Sequence, residues 1–193
     1  MKTVLPDVIN QNAPPKAPSP QFPTELFDSG LQQNWYVAYT RANHERTVTD
    51  QLIERGIESF LPQYESVRKW KDRKVYLHLP LFPGYVFVRF ATPDRLRVQQ
   101  TRGLVQLLSF GGSPTPVPET EMQSIREILS RGLRALPHPF LRAGRRIRIK
   151  SGPLAGLDGI VVRRKNRYRF VVSVELILKS MSVEVDEADL AAL

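Results

Sequence analysis

The first regular alternation of hydrophobic and polar positions along the chain is NWYVAYTR, which begins at residue 34. Trp35, Val37 and Tyr39 would share one face of an extended segment, while Tyr36 and Ala38 would share the other. Side chains of a strand alternate between its two faces with a period of two residues. The stretch therefore predicts a strand with apolar residues on both faces.

The spacing changes directly after this strand. Val48 and Leu52 lie four residues apart, which places them on one side of a helix. Asn43 is a residue type that caps helix N-termini, and Gly56 is suited to the turn that ends a helix. The segment therefore predicts a helix that begins after Asn43 and runs to Arg55, with its apolar stripe facing inward.

The middle of the chain combines a second strand, a basic segment and an apolar block. IESFLPQYESV predicts a strand in which Pro62 marks an edge or a bend. RKWKDRK, residues 68–74, predicts the tip of a basic hairpin. LFPGYVFVRF, residues 81–90, contains one charge and ends in a strand-like alternation. Its FPGY portion can bury its rings in a core or present them at a surface, and the pattern leaves both open.

Two helices and one strand complete this region. DRLRVQQTRG predicts a short helix that closes at Gly103, and VQLLSFGG predicts another strand. PETEMQSIREILSRG predicts a final helix with Met122, Ile125 and Leu129 facing inward. The order of elements over residues 34–132 predicts an α+β sandwich.

The remaining segments differ in composition. Residues 1–33 include QNAPPKAPSPQFP and have too little apolar content for a core, so we expect a disordered Pro-rich tail. Residues 133–142 contain two prolines without a clear period and are interpreted as a linker. Residues 143–193 contain short strands separated by Gly-rich and Asn-containing turns, which predicts a small closed barrel.

The composition restricts the chemistry. The formal charge is +9 and the isoelectric point is near 10.1, which favours a polyanionic partner. There is no cysteine, and His44, His78 and His138 have no metal-ligand spacing. Neither a membrane span nor a signal peptide is indicated, so we expect a cytoplasmic protein without a cofactor.

Two segments together carry a family resemblance. AGRRIRIKSGPLAGLDGIVVRR resembles a KOW motif, and WYVAYTR followed by LFPGYVFVRF resembles the NGN domain of the NusG family. The resemblance implies an α+β NGN domain, an antiparallel sheet flanked by helices, followed by a small all-β SH3-like KOW barrel. The LFPGYVFV and TRG segments are most similar to specialised members of the RfaH or UpxY type.

In this family the NGN domain binds the β′ clamp helices of RNA polymerase through an aromatic-lined depression. By position, the resemblance implies that this surface is lined by Tyr39, Phe82, Pro83 and Tyr85. Buried aromatic rings dominate the energetics of many interfaces. The alternative is that these rings belong to the core of the domain.

The resemblance also gives a role to the basic residues, because one edge of the NGN domain would face the non-template DNA strand. Lys and Arg would bind phosphates, and Trp70 could stack on a base. A solvated basic hairpin is the alternative for each single residue. The implied DNA-binding residues are Arg41, Arg68, Lys69, Trp70, Lys71, Arg73, Lys74 and Arg102.

The C-terminal barrel of the family recruits either the termination factor Rho or a small-subunit ribosomal protein. The corresponding contact residues here are Leu176, Ile177 and Leu178, in the sequence ELILKSMS. Leu178 stands where the family usually has glycine, and a continued core strand is an alternative for this run. The β-branched strands favour a barrel over a refolded helical hairpin.

The predicted function is that of a monomeric transcription elongation factor without catalytic residues, which modulates pausing and termination. The alternative is a KOW-type ribosome-associated protein that binds RNA. An enzyme is disfavoured because GPLAGLDG lacks the Gly-Lys-Ser/Thr ending of a phosphate-binding loop.

Overall fold

The computed structural model describes residues 32–71, 73–141, 145–164, 167–186 and 189–190. The predicted tail, residues 1–33, therefore lies outside the described residues except for Gln32 and Gln33. The helices are α1 (Glu45–Glu54), α2 (Arg95–Gln99) and α3 (Glu119–Ser130). The strands of the first part are β1 (Asn34–Thr40), β2 (Glu58–Phe60), β3 (Gln63–Trp70), β4 (Arg73–Pro80), β5 (Tyr85–Phe90), β6 (Leu104–Leu107), β7 (Ser109–Phe110), β8 (Ser113–Pro114) and β9 (Pro116–Val117). Those of the second part are β10 (Leu136–Pro139), β11 (Arg145–Arg148), β12 (Asp158–Arg164), β13 (Arg167–Val174) and β14 (Lys179–Val185).

The first sheet is antiparallel and has β1 near its centre, in the order β2-β5-β1-β6 with β9 also paired to β1. Trp35 and Val37 belong to one buried cluster, whereas Tyr36 and Ala38 belong to the other. The predicted alternation of β1 is thus confirmed, because helices cover both faces of the sheet. α1 contributes Val48 and Leu52 to one cluster, and α3 contributes to the other.

The start of α1 differs from the prediction. Asn43 does not cap the helix; it adopts a left-handed conformation with φ of 61°, and His44 occupies the capping position. Asn tolerates this conformation better than most residues. The chain can therefore turn sharply between β1 and α1. The end of the helix agrees with the prediction, because Gly56 follows it with φ of 71°.

The stretch predicted as one strand over residues 57–67 is two strands. β2 ends at Phe60 and β3 begins at Gln63, with Leu61 and Pro62 between them. Pro62 thus marks a bend. β3 and β4 form a separate two-stranded ribbon, which confirms the predicted hairpin. Its base is fixed by a 2.8 Å hydrogen bond from the Leu81 amide to the Pro62 carbonyl.

The second sheet is antiparallel, in the order β10-β14-β13-β12-β11. The interpretation of residues 133–142 as a linker is wrong for β10, which pairs with β14 at the sheet edge. An edge strand tolerates proline because one side of its backbone needs no partner. β10 and β11 end this sheet without pairing to each other in the residues described, so a closed barrel stays a prediction.

One glycine of the KOW-like motif has a clear steric reason. A Cβ atom on Gly159 would lie 2.5 Å from the Phe170 ring and 2.9 Å from the Val171 carbonyl oxygen. The β12–β13 pairing can therefore bring the backbone against a fully buried ring only because this residue has no side chain.

α3 packs against both β1 and β13 and so joins the two sheets. Met122, Ile125 and Ile128 are its buried residues, and Leu129 is partly buried. The prediction is therefore correct for Met122 and Ile125, but Ile128 is more deeply buried than the predicted Leu129. The same cluster contains Phe170 and residues of both sheets.

A carboxyl group lies at this junction. Burial, and to a smaller extent the nearby charge of Glu175, raise the pKa of Glu121 to about 7. A hydrogen bond from the Glu175 backbone lowers this pKa and so offsets part of the increase. Glu175 is itself paired with Arg146 at 3.8 Å. One carboxyl oxygen of Glu121 is fully buried without a hydrogen-bond partner. Ionisation of Glu121 therefore opposes the packing of α3 on the second sheet.

The stability of the folded chain should decrease as the pH rises from about 4.5 to about 7. Over this range the folded state binds more protons than the unfolded state, so the free energy of unfolding falls with pH. Because the carboxyl is only partly buried, we expect a loss of roughly 1–2 kcal/mol. Urea unfolding of the full chain at several pH values measures it. Glu121→Gln should flatten the dependence, whereas an unchanged slope in this variant would assign the effect to another group.

Candidate functional site

Two tyrosines form an aromatic pair at the end of the first sheet. Tyr39 and Tyr85 lie opposite each other on β1 and β5, with ring centroids 5.6 Å apart and ring planes tilted by 49°. Tyr39 is 40% exposed, and Tyr85 is partly buried. Pro83, in the turn before β5, is also exposed. The three residues form an apolar surface with polar hydroxyl groups, which we name the tyrosine surface.

Phe82 does not belong to this surface, although the family resemblance groups it with the two tyrosines. Its side chain is 1% exposed and packs edge-on against Phe87, with centroids 5.8 Å apart. The turn before β5 directs Phe82 into the core, where Leu81 is also buried. The prediction of a surface role for Phe82 is therefore wrong, because its ring packs in the core under the turn.

The turn that carries Pro83 and Tyr85 is fixed by Gly84. Gly84 has φ of 85°, and a Cβ atom there would lie 3.3 Å from the Tyr39 ring. Its carbonyl accepts a 2.8 Å hydrogen bond from the Thr40 amide. Its own amide donates a 2.8 Å hydrogen bond to the carboxylate of Glu45, which is 7% exposed. Both backbone groups of Gly84 are thus held, which gives the tyrosine surface a defined shape.

Arg41 and Arg102 are brought to neighbouring turns. The Arg41 amide donates a 2.9 Å hydrogen bond to the Gly103 carbonyl, and the Gln51 side chain donates to the Arg102 carbonyl at 3.2 Å. Both arginine side chains are exposed. They follow β1 and precede β6, so they lie at the same end of the sheet as Tyr39. These two predicted DNA-binding residues therefore lie near the tyrosine surface.

The other predicted DNA-binding residues lie on the β3–β4 hairpin. The described side chains are exposed: Arg68, Lys69, Lys71, Arg73 and Lys74. The side chain of Trp70 lies outside the described part of the structure. The two strands pair over eight positions, from Gln63 with Pro80 to Trp70 with Arg73. At about 3.3 Å per residue the tip stands about 25 Å from the base of the hairpin. The basic tip and the tyrosine surface are thus two separate sites.

The three apolar residues proposed for the C-terminal contact have different environments. Ile177 is 6% exposed and packs in the core, so the prediction that it forms an exposed contact is wrong. Leu176 is partly buried and lines a shallow groove with Leu108 and Phe110. Leu178 is 52% exposed. A 3₁₀ turn over Glu175–Ile177 separates their directions.

The backbone conformation of Leu178 is one that favours glycine. Its φ and ψ are 50° and 45°, so this position keeps the left-handed conformation that glycine adopts readily. A leucine costs about 1–2 kcal/mol in this conformation. Leu178 therefore holds a strained backbone conformation and displays an apolar side chain at the end of the turn.

Sequence reasoning missed two features of these sites. Glu45 is the acidic residue in the first turn of α1, but its hydrogen bond to Gly84 spans 39 positions and has no local signal. Val67 and Tyr76 face each other on the hairpin and are 48% and 56% exposed. Their apolar character indicates strand propensity, and alternation with Lys69 and Lys74 is the signal that could have placed them on an exposed face.

The comparisons with known proteins find similarity to NusG proteins. The family model for the transcription termination factor nusG matches residues 33–126. The transcription termination/antitermination protein NusG of Deinococcus radiodurans is 28% identical over 185 residues, covering 81% of this chain and 97% of that protein. These two matches show that the chain is similar to NusG proteins. The NusG protein of Pseudomonas aeruginosa is 26% identical over 170 residues, covering 81% of this chain and 96% of its own length.

A solved structure of NusG from Thermotoga maritima is also similar to this chain. It covers 82% of this chain and 96% of its own, at 20% identity and a TM-score of 0.48. Among the residues described, no helix has both the length and the apolar character needed to cross a membrane.

Proposed function

We propose that this chain is a member of the NusG family and a transcription elongation factor that binds the β′ clamp helices of RNA polymerase. The observation that supports this most is the tyrosine surface, Tyr39, Pro83 and Tyr85. Its aromatic pair is accessible, and the turn beneath it is fixed by hydrogen bonds to Gly84. A preorganised aromatic surface loses little conformational entropy on binding.

The same end of the sheet is proposed to contact the non-template DNA strand. Arg41 and Arg102 are exposed beside the tyrosine surface, so a chain seated on the clamp would present both to nearby nucleic acid. The basic hairpin would add phosphate contacts farther away. Arginine and lysine contacts of this kind increase affinity without reading the sequence directly.

The chain is further proposed to act as two units, an NGN domain over residues 34–132 and a KOW barrel over 143–193. Leu178, with Leu176 beside it, is the apolar element available for Rho or a small-subunit ribosomal protein. Glu121 and α3 would link the state of this second unit to the first, because α3 packs against strands of both.

The proposed outcome is a change in pausing and termination, in the manner of specialised RfaH-like or UpxY-like members. Holding the clamp and the non-template strand together would restrain the opening motions of the enzyme. No step of this activity requires a catalytic group on the chain. The protein is expected to act in the cytoplasm as a monomer.

A single-round elongation assay on a template with a defined pause tests this function. The full chain should change the lifetime of the paused complex in a saturable manner and should co-purify with stalled elongation complexes. No change at saturating concentration, together with binding to ribosomal RNA in the absence of polymerase, would replace this function with that of a ribosome-associated protein.

A further inference from the structure

The β3–β4 hairpin has two faces whose composition can be read from its register. Val67 pairs with Tyr76, and Lys69 pairs with Lys74. Residues two positions apart on a strand share a face, so these two pairs stand next to each other on one side of the hairpin. All four side chains are exposed. We name this side the lysine–tyrosine face.

The two lysines face each other across the hairpin although their like charges repel. Like charges directly opposite each other in an antiparallel pair are destabilising. Lys69 and Lys74 nevertheless face each other next to the tip, where Lys71 and Arg73 add further positive charge. A bound anion would relieve this repulsion, which makes the face complementary to a phosphate backbone.

Tyr76 adds an aromatic surface one step from the lysine pair. Its side chain is 56% exposed, which is more than Tyr39 at 40%. A ring on a two-stranded ribbon can stabilise the hairpin through its cross-strand neighbour Val67. Val67 is itself 48% exposed, however, so the pair leaves much apolar area in water.

We propose that the lysine–tyrosine face binds single-stranded DNA, with an unpaired base stacked on Tyr76 and the adjoining phosphates held by Lys69 and Lys74. This inference rests on the proposed DNA contact of the hairpin and names its face and its stacking residue. Tyr76 and Lys74 are two residues apart on β4, roughly 7 Å along the strand, so the ring and the lysine pair can contact neighbouring groups of one extended nucleic-acid strand. Aromatic rings and cations combined in this way bind single strands with little sequence preference.

A duplex is a poorer ligand for this face. Its bases are stacked on each other and inaccessible to Tyr76, so a duplex would use the lysines alone. The proposal therefore predicts a preference for single strands that depends on Tyr76, together with a salt dependence that depends on the lysines.

The test measures fluorescence anisotropy of a labelled 12-nucleotide single-stranded DNA with the full chain, over a range of salt concentrations. Tyr76→Ala should weaken binding about ten-fold at every salt concentration and leave the slope of log affinity against log salt unchanged. Tyr76→Phe should bind like the original chain. Binding of a duplex of equal length should be the same for all three proteins.

Two further variants separate stacking from hairpin stability. Tyr76→Leu keeps apolar contact with Val67 but removes the ring, so it should bind as weakly as Tyr76→Ala. Val67→Ala removes the cross-strand partner but keeps the ring, so it should retain most of the affinity. If Tyr76→Leu binds like the original chain, or if Val67→Ala is as weak as Tyr76→Ala, the ring does not stack on a base and the inference is wrong.

The same titration distinguishes failure of this inference from failure of the proposed DNA contact on which it rests. If the original chain binds neither single strand nor duplex, the DNA contact of the hairpin fails as a whole. If the original chain binds with a clear salt dependence and Tyr76→Ala binds equally well, only the lysine–tyrosine face is overturned.

Discussion

Replacing Tyr85 with alanine is expected to weaken binding of the full chain to the β′ clamp helices by about 30-fold or more. The ring lies at the centre of the tyrosine surface, 5.6 Å from the Tyr39 ring and directly after the fixed turn at Gly84. Central aromatic residues of an interface commonly contribute about 2 kcal/mol or more. Surface plasmon resonance with immobilised clamp helices measures the change.

Two control variants make this result interpretable. Tyr85→Phe keeps the ring and should stay within about three-fold of the original affinity, since it removes one hydroxyl group at a partly exposed position. Phe110→Ala removes a ring that is 86% exposed at the end of β7, away from the tyrosine surface, and should have no effect. A folded Tyr85→Ala protein that binds as tightly as the original would remove the tyrosine surface from the interface.

Neutralising the hairpin should have the second large effect. Exchanging Lys69, Lys71 and Lys74 for glutamine removes three exposed charges from the tip. For a single strand, the slope of log affinity against log salt decreases by about 0.7 for each phosphate that the protein no longer neutralises. The slope for a bubble template is therefore expected to fall by about 2, and the affinity at low salt should decrease roughly ten- to a hundred-fold.

The matched control exchanges Arg134, Lys150 and Lys179 for glutamine. These side chains are also exposed, and the change in net charge is the same, but none of them lies on the hairpin. The control should leave the slope nearly unchanged. Equal slopes for the hairpin variant and the original chain would mean that the hairpin is a solvated ribbon without a DNA contact.

The elements with strong local signals were predictable from the sequence. The alternation of β1 determined which side chains enter each cluster, because both faces of a central strand are covered. Gly56 marked the end of α1, where its positive φ favours glycine, whereas α2 ends at Gln99, four residues before the predicted end at Gly103. The basic hairpin followed from a run of charged residues between two strands.

The errors arose where long-range packing decides the outcome. β10 is a strand because β14 supplies its partner some forty residues later, and proline composition alone indicated a linker. Phe82 and Ile177 are apolar residues in turns, and only the positions of Phe87 and the second sheet show that both point inward. Local sequence carries no information on such partners.

The candidate sites show the same division. Tyr39 and Tyr85 were named from a resemblance, and their strand pairing explains why they meet. Glu45 could not be found, because its partner is a backbone amide on another element. The lysine–tyrosine face needed the register of β3 and β4, since a shift by one residue would move each side chain to the opposite side.

Binding of the full chain to core RNA polymerase with and without intact clamp helices tests the central claim most directly. The comparison uses the original polymerase and a variant in which a short neutral linker replaces the tip of the β′ clamp helices. Affinity should fall by about 30-fold or more for the variant, and Tyr85→Ala should then cause little additional loss. Equal affinity for the two polymerases would contradict clamp binding and place the contact of this chain elsewhere.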